Sequence, residues 1–428
     1  MLHLDISGAT AKTITSSAGI PEQELGALRT SMRRYIEDWL KERSSKGMHR
    51  WSMDPYDKSA IERVKEAAIR AKAESIQTVI WIGIGGSGLG PQVIKEMFES
   101  ATTVRFILLD TIDPAFLLSS LEGVNWKTAL VVIASKSGDT LEPMSIFFHC
   151  FGQLKTVRKG KAHERVLAIT DPEKGHLNRF CLENAIPMLP IHPDVGGRYS
   201  IFSPIGLLPL ALLDADLDRF IRGAKEMDTQ CQKTTLEENP AALLASMQFL
   251  LDTKRDLPIR VIMPYVQRLR SIARWDQQLI AESLGKNETR NPIPLSAIGT
   301  QDQHSLLQQW MAGPRKSWHL FIRDLEKPRL EVPNDTEESF AFIAGKPFGE
   351  LLDACYEGTS RGLMSVKRPH ITISLTRLDA YHLGQLFFLL CTEVIMLGKL
   401  YRIDPYGQPA VEIGKKITRE MLMRGRKE

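Results

Sequence analysis

Two glycine-rich loops in the first half of the chain contain the residue types needed to bind a phosphate group. The first, WIGIGGSGLGP at 81–91, follows an apolar run and opens a helical pattern. The second, VVIASKSGDTLEP at 131–143, repeats this arrangement and adds hydroxyls and a cation. Glycines let the backbone approach an anion, and the N–H groups of a helix N-terminus attract it. The candidate phosphate-binding residues are Gly86, Ser87, Ser135, Lys136, Ser137 and Thr140.

The first loop by itself leaves two interpretations open. Gly83, Gly85 and Gly88 satisfy G-x-G-x-x-G, and Asp110 follows at about the spacing of the acidic residue in dinucleotide-binding folds. An NAD-dependent dehydrogenase therefore competes with a phosphosugar-binding protein. The second loop favours the phosphosugar, because a dehydrogenase gives no reason for another monophosphate cradle at this strand.

Four residues further along the chain could carry out acid–base chemistry. Glu282 lies in the last turn of a predicted helix, where the helix dipole disfavours the ionised carboxylate and suits a general base. His304 follows a capping-box pattern at 300–303, which predicts a helix with His304 in its first turn. Arg198 follows two glycines, and Lys415 begins a lysine pair in a C-terminal helical pattern. A carboxylate, an imidazole and fixed cations together suit proton transfer beside a developing oxyanion.

The elements that must position these residues alternate between strands and helices. Short apolar runs without polar alternation predict strands buried on both faces of a parallel sheet. They lie at 78–82, 104–109, 130–134, 166–170 and 186–191, and then at 259–263, 318–322 and 370–374. Long helices are predicted at 266–284 and 379–400. The alternation predicts an α/β fold with doubly wound, mostly parallel sheets flanked by helices.

The length of 428 residues predicts two domains, because a single hydrophobic core rarely organises so long a chain. We expect an N-terminal helical segment at 1–45 and a first α/β domain at 46–213 with the phosphate loops. A second α/β domain at 214–400 carries the acid–base residues, and a C-terminal loop and helix at 401–428 contribute to the site.

Composition and local patterns exclude several classes of function. A net charge of +4 is too diffuse to predict nucleic-acid binding, and no metal-ligand spacing occurs among the five cysteines. Such scattered cysteines favour free thiols in a reducing compartment. The apolar segment LGQLFFLLCTEVIMLG contains Glu393 and predicts a buried core helix rather than a membrane span.

The motifs together resemble the glucose-6-phosphate isomerase family, in its short bacterial type. In chain order, between residues 81 and 416, the matching blocks are IGIGGSGLGP, SKSGDTLEP, GGRYS, AESLGK, GTQDQHS and VEIGKK. The SKSGxT pattern is similar to that of sugar-isomerase (SIS) domains, so the resemblance implies two SIS-type domains. It also implies reversible isomerisation of glucose 6-phosphate and fructose 6-phosphate through ring opening and a cis-enediolate.

The resemblance implies a role for each candidate residue. Glu282 would move the proton between C1 and C2 of the sugar, and Arg198 would stabilise the enediolate. His304, assisted by Lys415, would open the sugar ring. Gln408 falls where the family has a glutamine close to the substrate. The residues of the two glycine-rich loops would hold the phosphate.

The resemblance also implies the setting in which these residues act. We expect no cofactor, no metal, and a small phosphosugar as the partner molecule, with no nucleic-acid or membrane partner. The family's arrangement implies a cytoplasmic homodimer in which His304 reaches the site of the partner subunit. Two alternatives stay open: an isomerase for a different phosphosugar, and a regulatory SIS module that binds a phosphosugar without reaction.

The chain departs from the usual pattern of the family in two places. Asp139 and Leu141 stand where short members usually have threonines. An anionic Asp139 beside a phosphate dianion is unfavourable unless it points away or caps the helix. Gly407 replaces a usual aspartate and Ala410 a common glycine, and both changes can shift the loop that precedes Lys415.

Overall fold

The computed structural model describes residues 1–43 and 47–424, in which short strands alternate with helices. In chain order the strands are β1 (His3–Asp5), β2 (Thr78–Ile82), β3 (Arg105–Leu109), β4 (Ala129–Ala134), β5 (Val166–Thr170), β6 (Met188–Pro190), β7 (Ile259–Pro264), β8 (Ile293–Ser296), β9 (Ser317–Asp324) and β10 (His370–Leu375). They form two five-stranded sheets.

The helices lie between these strands and cover both sheets. In chain order they are α1 (Glu22–Gly26), α2 (Arg29–Arg43), α3 (Lys58–Ala73), α4 (Gly86–Phe98), α5 (Pro114–Leu121), α6 (Leu141–Arg158), α7 (His176–Glu183), α8 (Pro204–Leu212), α9 (Leu217–Cys231), α10 (Pro240–Arg255), α11 (Arg270–Leu284), α12 (Leu307–Ala312), α13 (Phe348–Ser365), α14 (Ala380–Tyr401) and α15 (Val411–Arg424). Short 3₁₀ turns, among them Met48–Tyr56, Gly197–Phe202 and Gln301–Gln303, connect several of them.

Both sheets are mostly parallel, as the sequence predicts. The first has the order β3-β2-β4-β5-β6, and all of its pairings are parallel. The second has the order β1-β10-β9-β7-β8, in which the short β1 runs antiparallel to β10. The predicted α/β class, with two such sheets flanked by helices and a C-terminal helix, is therefore confirmed.

The predicted strands match the observed ones to within one or two residues at each end. The sequence pattern predicts neither β1 nor β8. β1 has three residues, and β8 is a partly exposed edge strand that contains Pro294, so neither presents a buried β-branched run. β1 adds a strand of the second sheet to the segment 1–45, beside α1 and α2. The boundaries of the two domains stay a prediction.

The register of the first sheet brings the two glycine-rich loops together. β2 and β4 are parallel neighbours, with Ile82 opposite Ile133 near their ends. The loops that follow both strands therefore leave the same edge of the sheet side by side. From this point the chain continues to β3 on one side of β2 and to β5 on the far side of β4. Ligands of doubly wound sheets bind at such switch points.

Helix α14 forms the centre of the core and confirms the prediction of a buried helix. All of its residues from His382 to Gly398 are buried. Among the residues that the structure describes, it is the one helix with the length and composition to cross a membrane, and most of that stretch lies inside the protein. Its apolar side chains pack against α9, α10 and α11.

A fully buried ion network ties α11 to its neighbours. Arg260 of β7 lies 3.0 Å from Asp276 of α11 and 2.5 Å from Glu393 of α14, and its Nη1 also donates to Gln248 of α10 at 2.7 Å. Removing one partner of such a buried network is costly, because the remaining charges lose their compensation. The network fixes the position of α11, the helix that carries Glu282.

Candidate active site

Arg198 is the centre of a hydrogen-bonded cluster that joins the two halves of the chain. It lies in the turn Gly197–Phe202 and is only 3% exposed. Its Nη1 donates to Glu282 Oε2 at 3.1 Å, and its Nε donates to Ser283 Oγ at 2.7 Å, both on α11. Because a guanidinium keeps its charge at any physiological pH, the predicted base has a fixed cation beside it.

The loop after α14 supplies the remaining partners of Arg198. Nη1 also donates to Gln408 Oε1 at 2.9 Å. Nη2 donates to the carbonyl oxygens of Pro405 at 2.7 Å and Gly407 at 3.2 Å. All five N–H donors of the guanidinium therefore have acceptors. The structure brings Arg198, Glu282 and Gln408 together, as the sequence predicts.

Lys286 binds two further carbonyl groups of the same loop. Its Nζ donates to the oxygens of Asp404 at 2.7 Å and Tyr406 at 2.5 Å. Burial, followed by the charge of Arg198, lowers the pKa of Lys286. Successive carbonyls of an extended loop point in alternate directions. Lys286 therefore binds the carbonyls of Asp404 and Tyr406, while Arg198 binds the carbonyls that follow each of them. The lysine in the AESLGK block is the sequence signal for this role.

Gln278 is a site residue that the sequence analysis does not single out. It lies one helical turn before Glu282 on α11, and its Nε2 donates to Glu282 Oε1 at 2.8 Å. Both carboxylate oxygens of Glu282 are thus held. Gly85 of the first loop lies so close that a Cβ there would come within 2.9 Å of Gln278 Nε2. The i, i+4 spacing of Gln278 and Glu282 is the signal that could have identified it.

Gly86 permits the closest backbone approach in the site. A Cβ at this position would overlap the carbonyl group of Gly197 and lie 2.6 Å from the nitrogen of Arg198. The N-terminus of α4 therefore rests directly on the turn that carries Arg198. Ser87, in the first turn of α4, is partly exposed, and its carbonyl accepts a hydrogen bond from Trp81 Nε1 at 2.9 Å.

The second loop has its hydroxyls at the N-terminus of α6. Ser135 is buried and its Oγ accepts from Gly138 N at 3.1 Å, while Ser137 Oγ accepts from Asp139 N at 3.2 Å. Thr140 occupies the N-cap position, but its side chain makes no capping bond. Capping therefore does not engage the Thr140 hydroxyl.

Lys136 connects the second loop to the segment before Arg198. Its Nζ donates to the carbonyl oxygens of Pro193 at 2.6 Å and Val195 at 3.1 Å. An ammonium has three donors, so one remains for a ligand. Burial lowers the pKa of Lys136, although nearby Asp171 opposes the shift.

Asp139, the unusual residue of this loop, is paired with a histidine. Its Oδ1 contacts His176 Nδ1 at the start of α7. Both side chains are exposed, so the contact takes place at the surface beside the loop. The pairing directs the Asp139 carboxylate toward α7. Pointing away from the phosphate is one of the two ways in which this anion can be accommodated in the loop.

His304 lies at the surface, and none of the hydrogen bonds among the described residues joins its side chain to the Arg198 cluster. The expected capping box does not form: residues Gln301–Gln303 make a 3₁₀ turn, and the Thr300 side chain makes no capping bond. His304 follows this turn and precedes α12, so it is not in the first turn of a helix. The expectation fails because Gln303 Nε2 instead binds Thr359 Oγ1 at 2.6 Å.

Lys415 also lies outside the cluster within the single chain. It is on α15, whose described side chains are exposed, and its Nζ donates to Glu412 Oε1 at 2.7 Å on the same helix. The structure therefore brings together the base, the cation and the glutamine of the predicted site. The two ring-opening candidates, His304 and Lys415, stay apart from them.

The site residues described above all fall within the part of the chain that matches a known family. A family model described as phosphoglucose isomerase matches residues 56–428. The chain belongs to the phosphoglucose isomerase family. Because the matched residues include both glycine-rich loops, membership favours the phosphosugar over the dinucleotide as the ligand of the first loop.

Individual relatives of this phosphoglucose isomerase family member agree with the assignment. A glucose-6-phosphate isomerase of Rubrobacter xylanophilus is 35% identical over 376 residues, which cover 85% of this chain and 87% of that protein. The solved structure of a hypothetical protein from Thermus thermophilus has a TM-score of 0.90 at 29% identity, covering 99% and 100% of the two chains. A glucose-6-phosphate isomerase from Chlamydia trachomatis has the same fold, with a TM-score of 0.84 at 20% identity and coverage of 96% and 88%.

Proposed function

We propose that this protein is an aldose–ketose isomerase that interconverts glucose 6-phosphate and fructose 6-phosphate. The observation that carries the proposal is the contact of Glu282 with Arg198 and Gln278, beside the N-terminus of α4. Isomerisation requires one base that takes and returns a proton, and positive charge where an oxyanion develops.

Glu282 is the base in this proposal. Its carboxylate takes the proton from C2 of the open-chain aldose and returns it to C1, while the hydroxyl proton of O2 passes to O1, which leaves the ketose. During the transfer the negative charge passes from the carboxylate to the oxygens of the cis-enediolate. Arg198 is already in place, held by acceptors from α11 and the loop after α14. Its charge can therefore balance the anion on either side with little reorganisation.

The phosphate is held at the switch point of the first sheet. The N-termini of α4 and α6 follow neighbouring parallel strands at the same edge, with the hydroxyls of Ser87, Ser135, Ser137 and Thr140. The remaining donor of Lys136 adds a charge-assisted bond. Because the phosphate is remote from C1 and C2, its binding energy can orient the reacting carbons.

Ring opening requires groups that the single chain holds outside the cluster. We propose a homodimer in which His304, exposed on its own subunit, enters the site of the partner. We propose that α15 moves to bring Lys415 toward the same ring oxygen. A cytoplasmic location is also proposed; the cysteines of the described chain are free, and four of the five are buried.

The test is conversion of fructose 6-phosphate to glucose 6-phosphate by the purified protein, with a chelator present and no nucleotide added. We expect Glu282→Gln to lower kcat by about 10³-fold with the fold retained, because an amide cannot accept the proton. Glu66→Gln, a matched change on the exposed face of α3, should leave kcat unchanged.

Two outcomes would count against the proposal. Parental turnover by Glu282→Gln would exclude Glu282 as the base. The absence of turnover by folded parent protein would exclude this substrate. In that case, mannose 6-phosphate in the same assay would separate a different isomerase from a module that binds a phosphosugar without reaction.

A further inference from the structure

The loop 404–408, which holds Arg198, is anchored from behind by a chain of three aromatic side chains. The Tyr406 side chain is only 9% exposed, and its ring lies 5.3 Å from that of Tyr199, the neighbour of Arg198. Its hydroxyl lies 2.7 Å from His49 Nδ1 and accepts a hydrogen bond from Trp51 Nε1 at 3.2 Å. His49 and Trp51 both belong to the turn Met48–Tyr56, far away in sequence.

The contacts among Tyr406, His49 and Trp51 limit where their exchangeable protons can lie. The indole of Trp51 can only donate, so the Tyr406 hydroxyl accepts from it. The hydroxyl can give its own proton to His49 Nδ1 when that nitrogen carries no hydrogen. His49 Nε2 lies 3.2 Å from Glu42 Oε2, a carboxylate that can only accept. Burial lowers the pKa of His49 and so favours the neutral imidazole, and the neutral form that suits both contacts carries its hydrogen on Nε2. In this arrangement the side-chain donors of Trp51, Tyr406 and His49 each have an acceptor.

We infer that His49 is a positioning residue for isomerisation: in its neutral form it locks Tyr406 and thereby the loop that holds Arg198 and Gln408. Protonation of Nδ1 would turn the one acceptor that the described residues offer to the Tyr406 hydroxyl into a donor. The buried hydroxyl would then face two donors and lose a partner for its own proton, which is costly in a dry environment. The loop would loosen as the pH falls. The inference rests on the proposed isomerase function.

The groups around His49 bias it toward the neutral form. Burial lowers the pKa of His49, and the charge of Lys399 on α14 lowers it further, while Glu42 on α2 and Asp404 oppose both. Lys399 Nζ binds both oxygens of Glu42, at 2.7 and 2.9 Å, which weakens that opposition. A surface cavity of about 290 Å³ beside these residues lets solvent protons reach the imidazole.

Tyr406→Phe tests the inference, because it keeps the ring and removes the hydroxyl. We expect kcat for fructose 6-phosphate to fall about tenfold near pH 8, because Arg198 and Gln408 are less well positioned. KM should change less than about twofold, since the phosphate loops are separate from loop 404–408. The acid-side decline of kcat should also move to lower pH, because protonation of His49 no longer disturbs the loop.

Two further variants separate positioning from general stability. Tyr381 also has a hydroxyl that donates to one residue, Glu226, and accepts from another, Gln385, but at the opposite end of α14. Tyr381→Phe should therefore lower the melting temperature and leave the pH profile of kcat unchanged. His49→Asn offers a side-chain oxygen to Tyr406 and does not titrate. It should retain most of kcat at pH 8 and also lose the His49-dependent part of the acid-side decline.

Hydrogen exchange of the Tyr406 amide, which donates to Asp404 Oδ1 at 3.0 Å, gives a readout that does not depend on catalysis. We expect its protection to fall in the parent between pH 8 and pH 5, after correction for intrinsic exchange, and to be low at both values in Tyr406→Phe. Unchanged kcat, pH profile and amide protection in Tyr406→Phe would overturn the inference. Absence of turnover in the parent, with the expected exchange pattern, would refute the isomerase proposal and leave the loop mechanism standing.

Discussion

The hydrogen bonds of Arg198 fix the position of its charge before a substrate binds. Its five donors are taken by side chains of α11 and by the loop 404–408, so it cannot rotate freely toward solvent. A group fixed in this way acts through its field rather than by forming new bonds. Such preorganised charge is the larger contribution to stabilising a developing oxyanion.

Asp139 requires a different explanation, because an anion in a phosphate loop opposes its ligand. Its contact with His176 explains how the chain tolerates it. We predict that His176→Ala raises KM for fructose 6-phosphate by roughly threefold to tenfold, because the unpaired carboxylate repels the phosphate. kcat should change little, since the phosphate is remote from the reacting carbons. Steady-state kinetics at constant ionic strength provide the measurement.

The control for this prediction is the double variant. In an Asp139→Thr background the carboxylate is absent, so His176→Ala should no longer affect KM. Asp139→Thr alone should leave KM unchanged or lower. An equal rise of KM for His176→Ala in both backgrounds would show that His176 acts on the phosphate by some other route.

At the scale of elements, the site depends on how closely three segments approach. The parallel pairing of β2 with β4 places the N-termini of α4 and α6 side by side, and the buried Arg260 network fixes α11 opposite them. The turn Gly197–Phe202 lies between these helices and contacts α4 at Gly86. A small displacement of α4 therefore moves Arg198 relative to Glu282.

Gly86→Ala should separate these elements. The new methyl group would overlap the Gly197 carbonyl, so α4 and the Arg198 turn must move apart. We predict a fall in kcat/KM of about 10²-fold with the fold retained, because such a shift misplaces both the phosphate and the cation. The isomerase assay together with far-UV circular dichroism checks both parts of the prediction.

Gly152→Ala is the matched control for this change. Gly152 is an exposed glycine in the middle of α6, and a Cβ there would meet no atom within 4 Å. It should stabilise the protein by roughly 0.5–1 kcal/mol through helix propensity and leave kcat/KM unchanged. A Gly86→Ala variant with parental kcat/KM would mean that the contact is not needed to position Arg198.

At the scale of the whole molecule, the separation of His304 from Glu282 is the main unfilled requirement of the proposed mechanism. His304 is exposed and follows a surface turn, whereas Glu282 is partly buried and contacts the buried Arg198. In a symmetric dimer, a residue exposed on one subunit can complete the site of the other. A site shared between two subunits predicts a result of mixing variants that a site within one subunit does not.

Mixing two inactive variants should restore activity. Glu282→Gln and His304→Ala homodimers should each be inactive. When they are dissociated and reassociated in equal amounts, half of the dimers pair one of each, and one of their two sites has both native residues. We therefore expect about a quarter of parental kcat per subunit. If His304 acted in its own subunit, every site would lack one residue, and mixing would restore nothing.

Local sequence patterns suffice to predict the alternation of strands and helices, the two loops after β2 and β4, and the candidate residues for the chemistry. Apolar runs and glycine spacing are local properties, so they can be recognised from neighbouring residues. Edge strands such as β8 escape this recognition, because a partly exposed strand with a proline lacks the buried β-branched run that marks the others.

How these residues meet depends on the packing of segments that are distant in the sequence. Arg198 and Gln408 are 210 positions apart, and Tyr406 and His49 are 357 apart, so no local pattern encodes either contact. The pairing of Asp139 with His176 and the role of Gln278 depend in the same way on how helices pack. Hydrogen bonds between distant segments form only when the burial of apolar faces has fixed those segments in place. The positions of His304 and Lys415, outside the cluster of a single chain, are likewise set by that packing.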